Sequence, residues 1–73
     1  MSPDKMIHMA NQIALFMESK PHDEGVSGLA NHINDFWEPR MRSQFLALVE
    51  AGATELRPLV LEAVPLIKRP LAA

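Results

Sequence analysis

The stretch that decides the fold joins two helical patterns and reads Phe36-Trp37-Glu38-Pro39-Arg40-Met41-Arg42. Proline restricts the residue before it to extended conformations, so a helix arriving from upstream should stop near Trp37. The same ring suits the first position of a helix, where no backbone N–H is needed. The stretch therefore predicts that one helix ends near Trp37 and that the next begins at about Pro39.

Two helical patterns are expected upstream of Pro39. In the first, Ser2 can act as the N-cap with Pro3 at the first helical position, and the segment before Pro21 ends the helix. Its apolar residues recur at helical spacing and are Met6, Met9, Ala10, Ile13, Phe16 and Met17. The second helix should start between Asp23 and Ser27. Its apolar face consists of Val26, Leu29, Ala30, Ile33, Phe36 and Trp37.

Two further segments are expected downstream. The third helix should run from about Pro39 to a C-cap at Gly52. Its inward residues are predicted to be Met41, Phe45, Leu48 and Val49. In the fourth segment, Thr54 is the expected cap, Pro58 is tolerated near the start, and Pro65 should kink or end the helix. The apolar residues of this segment are Leu56, Leu59, Val60, Ala63 and Ile67.

These patterns predict an all-α fold, a small three- to four-helix single domain over residues 1–73. We expect its core to span roughly residues 3–64 and a tail of roughly residues 65–73 to be mobile. A domain of this size buries only about 60% of the surface of its unfolded chain. Such a core supplies about 3–5 kcal/mol unaided, so binding to a partner would add stability.

Composition narrows the function classes. The net charge of −2 gives no broad positive surface for nucleic acid. Apolar runs are too short for a membrane span, and the first residues lack the features of a signal peptide. The chain has no cysteine, and its three histidines show no zinc-motif spacing. We therefore expect a cytoplasmic protein without a metal site and without nucleic-acid or membrane partners.

No catalytic motif occurs in the sequence. A phosphate-binding loop, a dinucleotide fingerprint and a zinc-protease histidine pair are all missing, as is a nucleophile elbow. We therefore expect no catalytic centre within this chain.

Arg40 and Arg42 are the most informative charged residues. They lie at the start of the third helix, where the macrodipole disfavours cations, and about 100° to either side of Met41. Helix N-termini and arginine forks both bind carboxylate or phosphate. Local pairing with Asp35, Glu38 or another surface carboxylate is the simpler interpretation. Contact with a phosphate-bearing ligand or an acidic partner is the alternative.

Trp37 and His32 also admit two interpretations each. The apolar stripe of the second helix places Trp37 in the core rather than on a ligand platform, although its indole N–H needs an acceptor. His32 lies beside Phe36 at the edge of that stripe. A hydrogen-bonded boundary histidine is the simpler interpretation, and a phosphate or partner contact is the alternative.

Several apolar residues fall off the apolar stripes. Leu15 lies opposite the stripe of the first helix, Ile7 lies at its margin, and Leu46 and Leu61 are displaced on their own helices. On so small a chain they favour an interaction patch or self-association. Asn11 and Gln12 lie on the polar side of the first helix and are most simply solvated. The candidate partner contacts are Asn11, Gln12, Leu15, Trp37 and Leu46.

The sequence resembles one known family over about residues 5–50, with a weaker similarity over residues 56–64. The similarity rests on three runs: Met9-Ala10-Asn11-Gln12-Ile13 with a following Phe16, Ala30-Asn31-His32-Ile33, and Phe36-Trp37-Glu38-Pro39-Arg40-Met41-Arg42. These runs resemble the delta subunits of NAD-dependent, molybdenum-containing formate dehydrogenases. The chain departs from that family at its end, where Pro65, Lys68, Arg69 and Pro70 make the last helix short or irregular.

The resemblance implies an accessory subunit of a cytosolic enzyme complex that oxidises formate to carbon dioxide and reduces NAD. The partner would be the large molybdenum-bearing subunit, and the role would be assembly, stabilisation or loading of the molybdenum cofactor. Arg40, Arg42 and His32 would then be the candidate contacts to the phosphates of bis-molybdopterin guanine dinucleotide or another guanine nucleotide. A cofactor carrier that acts only during maturation, and a generic helical adaptor, remain as alternatives, and a homodimer of the isolated chain is a further expectation.

Overall fold

The computed structural model describes residues 2–53 and 55–69, and these residues form helices without any strand. The helices are α1 (Pro3–Met17), α2 (His22–Phe36), α3 (Pro39–Glu50) and α4 (Pro58–Ala63), followed by a 3₁₀ turn over Val64–Leu66. The predicted all-α fold is therefore confirmed. No helix within the described ranges is both long enough and apolar enough to cross a bilayer.

Proline sets the starts of three helices. Pro3 and Pro39 occupy first positions, as predicted, and Pro58, which was predicted only to lie near the start of the fourth segment, also occupies a first position. Ser2 caps α1, because its Oγ accepts a hydrogen bond from the Lys5 backbone N–H at 3.3 Å. The second helix begins at His22, one residue before the predicted range. It ends where predicted, since Trp37 is extended with φ −87° and ψ 127°.

Gly52 ends α3 in the left-handed conformation, with φ +91°. The Ala53 N–H donates to the Leu48 carbonyl at 3.2 Å, and the Gly52 N–H donates to the Val49 carbonyl at 3.0 Å. This pair of bonds is a Schellman motif, which glycine accommodates because it has no Cβ. The predicted C-cap is confirmed. The predicted cap at Thr54 lies outside the described residues.

The core lies where α2 packs against α1 and α4, and α1 also contacts α3 and α4. Trp37 belongs to this core and meets the Phe45 ring edge-on, with centroids 5.4 Å apart. The buried apolar side chains are Met6, Ala10, Ala14, Leu29, Ala30, Ile33, Trp37, Phe45, Leu46, Leu56, Leu59, Val60, Ala63 and Ile67. The five apolar residues predicted for the fourth segment are all among them.

The start of α2 packs tightly against the end of α1 at Gly25. A Cβ at this position would lie 2.7 Å from the backbone oxygen of Met17. Only glycine lets the start of α2 approach the end of α1 this closely.

The packed part of the chain extends beyond the expected boundary at residue 64. Pro65 ends α4 as predicted, but the chain continues as a 3₁₀ turn, and Ile67 is buried. Asn34 fixes this segment through both ends of its amide. Its Nδ2 donates to the Leu66 carbonyl at 3.1 Å, and its Oδ1 accepts from the Lys68 N–H at 2.7 Å. These bonds hold Leu66 and Lys68 to α2, and residues 70–73 of the expected tail lie outside the described ranges.

Asn11 fixes the start of α4 in the same way. Its Nδ2 donates to the Glu55 carbonyl at 2.8 Å, and its Oδ1 accepts from the Arg57 N–H at 2.9 Å. The expectation that Asn11 is solvated was wrong, because both polar ends of its amide bind the segment that precedes α4.

Three predicted side-chain positions were wrong. Leu46 was expected to be exposed and is 2% exposed, because the buried face of α3 is centred nearer to it than the spacing suggested. Phe16 and Phe36 were expected in the core and are 64% and 75% exposed. Both belong to the last turn of their helices, where the neighbouring elements no longer cover them.

Candidate functional site

The junction of α2 and α3 forms an open cleft of about 500 Å³. Its lining residues are Phe36, Glu38, Arg40, Met41 and Gln44. Phe36 contributes the most exposed large apolar side chain of the described residues. The ring of His32 lies beside it, with centroids 4.8 Å apart and planes tilted by 34°. The cleft thus combines an uncovered aromatic face with charged groups of both signs.

Arg42 does not line this cleft, because its guanidinium binds three backbone carbonyls. Nη1 donates to Trp37 at 2.8 Å and to Asn34 at 3.3 Å, and Nε donates to Lys68 at 3.1 Å. The first two carbonyls belong to the C-terminal end of α2, where the helix dipole is negative and carbonyls lack helical partners. The prediction that Arg42 pairs with a surface carboxylate was wrong. The alternative, that Arg42 and Arg40 together present two free cations, was also wrong.

Arg40 remains exposed at the edge of the cleft. None of the salt bridges found among residues 2–53 and 55–69 includes it. It occupies the second position of α3, next to the positive end of that helix, so its charge has no compensation from the dipole. Of the two arginines predicted to contact an anion, Arg40 is the one positioned to do so.

The residues predicted to contact a partner differ in how far their side chains are exposed. Trp37 and Leu46 are buried, so neither presents its side chain to a partner. Asn11 is half-buried and bound to the segment before α4. Gln12 is exposed, and its Nε2 lies 3.3 Å from Nε2 of His8. Leu15 is 53% exposed, as its position predicts.

A salt bridge joins α1 to the start of α4 near Leu15. Nε of Arg57 donates to Oε2 of Glu18 at 2.6 Å, and Nη2 donates to Oε1 at 2.8 Å. This bidentate bond lowers the pKa of Glu18 and raises the pKa of Arg57. Leu15 lies three residues before Glu18, and Leu61 lies four residues after Arg57. Helical spacing therefore places each leucine on the same side of its helix as one member of the ion pair. The ion pair therefore stabilises the contact between the two helices on this surface.

The histidines are dispersed over the molecule. His22 Nε2 lies 3.0 Å from Oε1 of Glu62 and joins the start of α2 to α4. His8 contacts Gln12, and His32 contacts Phe36. Within the described ranges, no three metal-ligating side chains come together.

Sequence reasoning missed the residues that extend the cleft along α3. Gln44 is shared with a second cleft between α1 and α3, and Leu48 is shared between that cleft and a third near Gly52. Gln44 and Leu48 are four residues apart, which is the only signal in the sequence that they share a face.

Comparison with known proteins gives one result. The family model of the NADH-dependent formate dehydrogenase delta subunit FdsD matches residues 5–64 of this 73-residue chain. No curated protein and no solved structure gives a significant match. The matched range contains α1 from Lys5 onward, all of α2, α3 and α4, and the cleft at the junction of α2 and α3, and it confirms the expected family. The chain belongs to the family of NADH-dependent formate dehydrogenase delta subunits.

Proposed function

We propose that this chain is a non-catalytic delta subunit that docks on the large molybdenum-bearing subunit of a cytosolic, NAD-dependent formate dehydrogenase. There it supports assembly, stability or cofactor loading. The observation that carries the proposal is Phe36, an aromatic side chain that is 75% exposed in a cleft with Arg40 at its edge. Aromatic and arginine side chains contribute most of the binding free energy at protein interfaces.

The size of the chain supports a docking role. A core of this size stabilises the isolated fold by only about 3–5 kcal/mol. A partner that binds only the folded state adds to that stability by mass action. Docking through Phe36 would also remove the largest exposed aromatic surface from water, which favours association because apolar burial is the main favourable term.

The test is co-expression of this chain with an affinity-tagged large subunit, followed by measurement of the amount of chain retained. Wild type should be retained in a one-to-one ratio. Phe36→Ser should reduce retention at least about tenfold, the loss expected for an interface residue worth more than about 1.4 kcal/mol. Phe16→Ser is the matched control, since Phe16 is 64% exposed and likewise ends a helix. Absence of wild-type chain from the purified complex would contradict the proposal.

Cofactor contact is a separate part of the proposal. Since Arg42 binds backbone carbonyls, Arg40 and His32 are the residues left to meet the phosphates of a guanine dinucleotide. Calorimetric titration with a guanine nucleotide should show binding that weakens in Arg40→Ala. Equal heats for wild type and variant would exclude this contact while leaving the docking role intact. A carrier that acts only during maturation would bind the immature large subunit and be missing from the mature complex.

A further inference from the structure

A groove runs along α3, beginning at the junction of α2 and α3 and continuing between α3 and the N-terminal half of α1. Three adjoining clefts form it, with volumes of about 500, 310 and 300 Å³. Gln44 joins the first to the second, and Leu48 joins the second to the third. The groove begins beside Arg40 and ends at Gly52, so it follows the whole of α3, a length of about 18 Å at 1.5 Å per residue.

The floor of the groove is apolar and only partly covered. Ile7 of α1 and Met41 and Leu48 of α3 are half-buried there. Ala47, at the margin of the second cleft, is exposed. The short side chain of Ala47 leaves room for a neighbouring backbone to approach α3. A row of half-buried apolar side chains along one groove indicates a surface that another element can cover.

The two ends of the groove differ in charge. Arg40, Glu38 and the positive end of the α3 dipole lie at one end. Asp4, Glu55 and the negative end of the α3 dipole lie at the other. Arg40, Asp4 and Glu55 take part in none of the salt bridges of the described residues. An occupant of the groove would therefore meet one cation beside one carboxylate at one end, and two carboxylates at the other.

We propose that the groove receives one amphipathic helix of the large subunit, an inference that rests on the proposed function and specifies its contact. The helix has about three turns and an apolar stripe that packs on Met41, Leu48 and Ile7. It carries a carboxylate at the end that meets Arg40 and a lysine or arginine at the end that meets Asp4 and Glu55. A helix fits because the second and third clefts lie between α1 and α3. An added strand needs a free strand edge, which residues 2–53 and 55–69 do not offer.

The area of the groove determines how the proposal should be tested. A helix about 10 Å wide and about 18 Å long covers far less than the roughly 800 Å² per partner of a standard interface. The groove contact alone is therefore weak, and the adjoining Phe36 surface must contribute to the same interface. A test with an isolated peptide would miss this cooperation, so the intact large subunit is the appropriate probe.

The experiment measures retention of three α3 variants on the tagged large subunit. Leu48→Glu places a charge on the floor of the groove, and Ala47→Glu places one at its exposed margin, where folding is not at risk. Ser43→Glu is the matched control, because it adds the same charge to an exposed position of the same helix outside the three clefts. We expect at least a tenfold loss for the first two variants and none for the control. Circular dichroism establishes that each variant is helical.

The outcomes separate the groove from the docking role. Retention of wild type, Leu48→Glu and Ala47→Glu to the same extent overturns the groove contact and leaves the docking role standing. Failure of the wild type itself to be retained overturns the docking role. A wild-type homodimer in size-exclusion chromatography that Ala47→Glu dissociates, with binding to the large subunit unchanged, shows that a second copy occupies the groove and overturns the proposal. Arg40→Glu should also weaken retention, by a factor that shrinks as added salt screens the end charges.

Discussion

Gly25 leaves no room for a Cβ between the start of α2 and the end of α1, and its replacement tests that contact directly. We expect Gly25→Ala to lower the free energy of unfolding by about 1–3 kcal/mol, the usual cost of forcing extra volume into a packed contact. The added Cβ would lie 2.7 Å from the backbone oxygen of Met17, which cannot move without shifting α1. Urea denaturation followed by circular dichroism measures the change.

Gly28 provides the matched control on the same helix. A Cβ there would lie 2.9 Å from the Met17 sulfur, which ends a flexible side chain that can rotate away. Alanine also favours a helix interior over glycine by about 1 kcal/mol. Gly28→Ala should therefore leave stability nearly unchanged or raise it. Equal destabilisation by both substitutions would show that backbone proximity at Gly25 is not the cause.

Arg42 should matter for stability more than for binding. Arg42→Ala leaves the carbonyls of Asn34, Trp37 and Lys68 without their shared donor. We expect a loss of about 2 kcal/mol, in the range of hydrogen bonds to a charged group, because the site is half-buried. Arg42→Lys should not restore it, since an ammonium lacks the planar fork that reaches several acceptors.

Arg40→Ala is the comparison for Arg42→Ala, because Arg40 lies two residues before Arg42 on the same helix and is exposed. Its stability should change by no more than about 0.5 kcal/mol. Thermal unfolding of the two variants in parallel measures the difference. A larger loss of stability in Arg40→Ala than in Arg42→Ala would contradict the conclusion that Arg42 stabilises the fold by capping α2.

At the scale of elements, α4 needs external support. A helix of six residues is far shorter than the length of about 12–15 residues at which isolated helices become marginally stable in water. Buried contacts of Leu59, Val60 and Ala63 hold its inner face. The amides of Asn11 and Asn34 hold the chain before and after it. The position of α4 therefore depends on polar groups that belong to α1 and α2.

The ion pair between α1 and the start of α4 predicts a pH dependence. The bond with Arg57 lowers the pKa of Glu18 in the folded state. A carboxylate with a lowered pKa contributes stability above its unfolded pKa and loses it as the pH falls through the folded pKa. Wild type should therefore lose stability relative to Glu18→Gln on acidification below the ordinary glutamate range.

Unfolding followed at several acidic pH values measures this difference. The effect should be small, because both side chains are substantially exposed and such pairs are screened by water and salt. Glu24→Gln is the control, because it removes an exposed carboxylate that takes part in none of the salt bridges of the described residues. Parallel stability curves for wild type and Glu18→Gln would contradict the assignment.

At the scale of the whole molecule, local signals predicted the elements well. Pro3, Pro39, Pro58 and Gly52 act through their own backbone restrictions, so their effects on helix ends are visible in the sequence. The apolar spacing of the fourth segment likewise predicted its buried residues. These features can be predicted without knowing which helices pack against each other.

Features that depend on distant neighbours could not be predicted. Asn11 binds residues 44 and 46 positions away, and no local pattern records which carbonyl will lie opposite its amide. Phe36 fits the apolar stripe of α2, but whether anything covers its last turn depends on the path of the chain after Trp37. Arg42 was assigned to the start of α3, yet its long side chain reaches back to the end of α2. The sequence therefore drew attention to the junction of α2 and α3, but it could not predict which side chains line the cleft there.

The two asparagine contacts around α4 also bear on how the protein ages. Asparagine is a thermolabile residue, and loss of its amide nitrogen leaves a carboxylate. At Asn34 that change would turn the donor that faces the Leu66 carbonyl into a second acceptor, and the same would follow at Asn11 opposite Glu55. Chemical damage at either site would add negative charge and permanently remove one of the two hydrogen bonds that hold that end of α4. The lifetime of the folded chain at high temperature thus depends on the slow chemistry of two amides as well as on the equilibrium between folded and unfolded states.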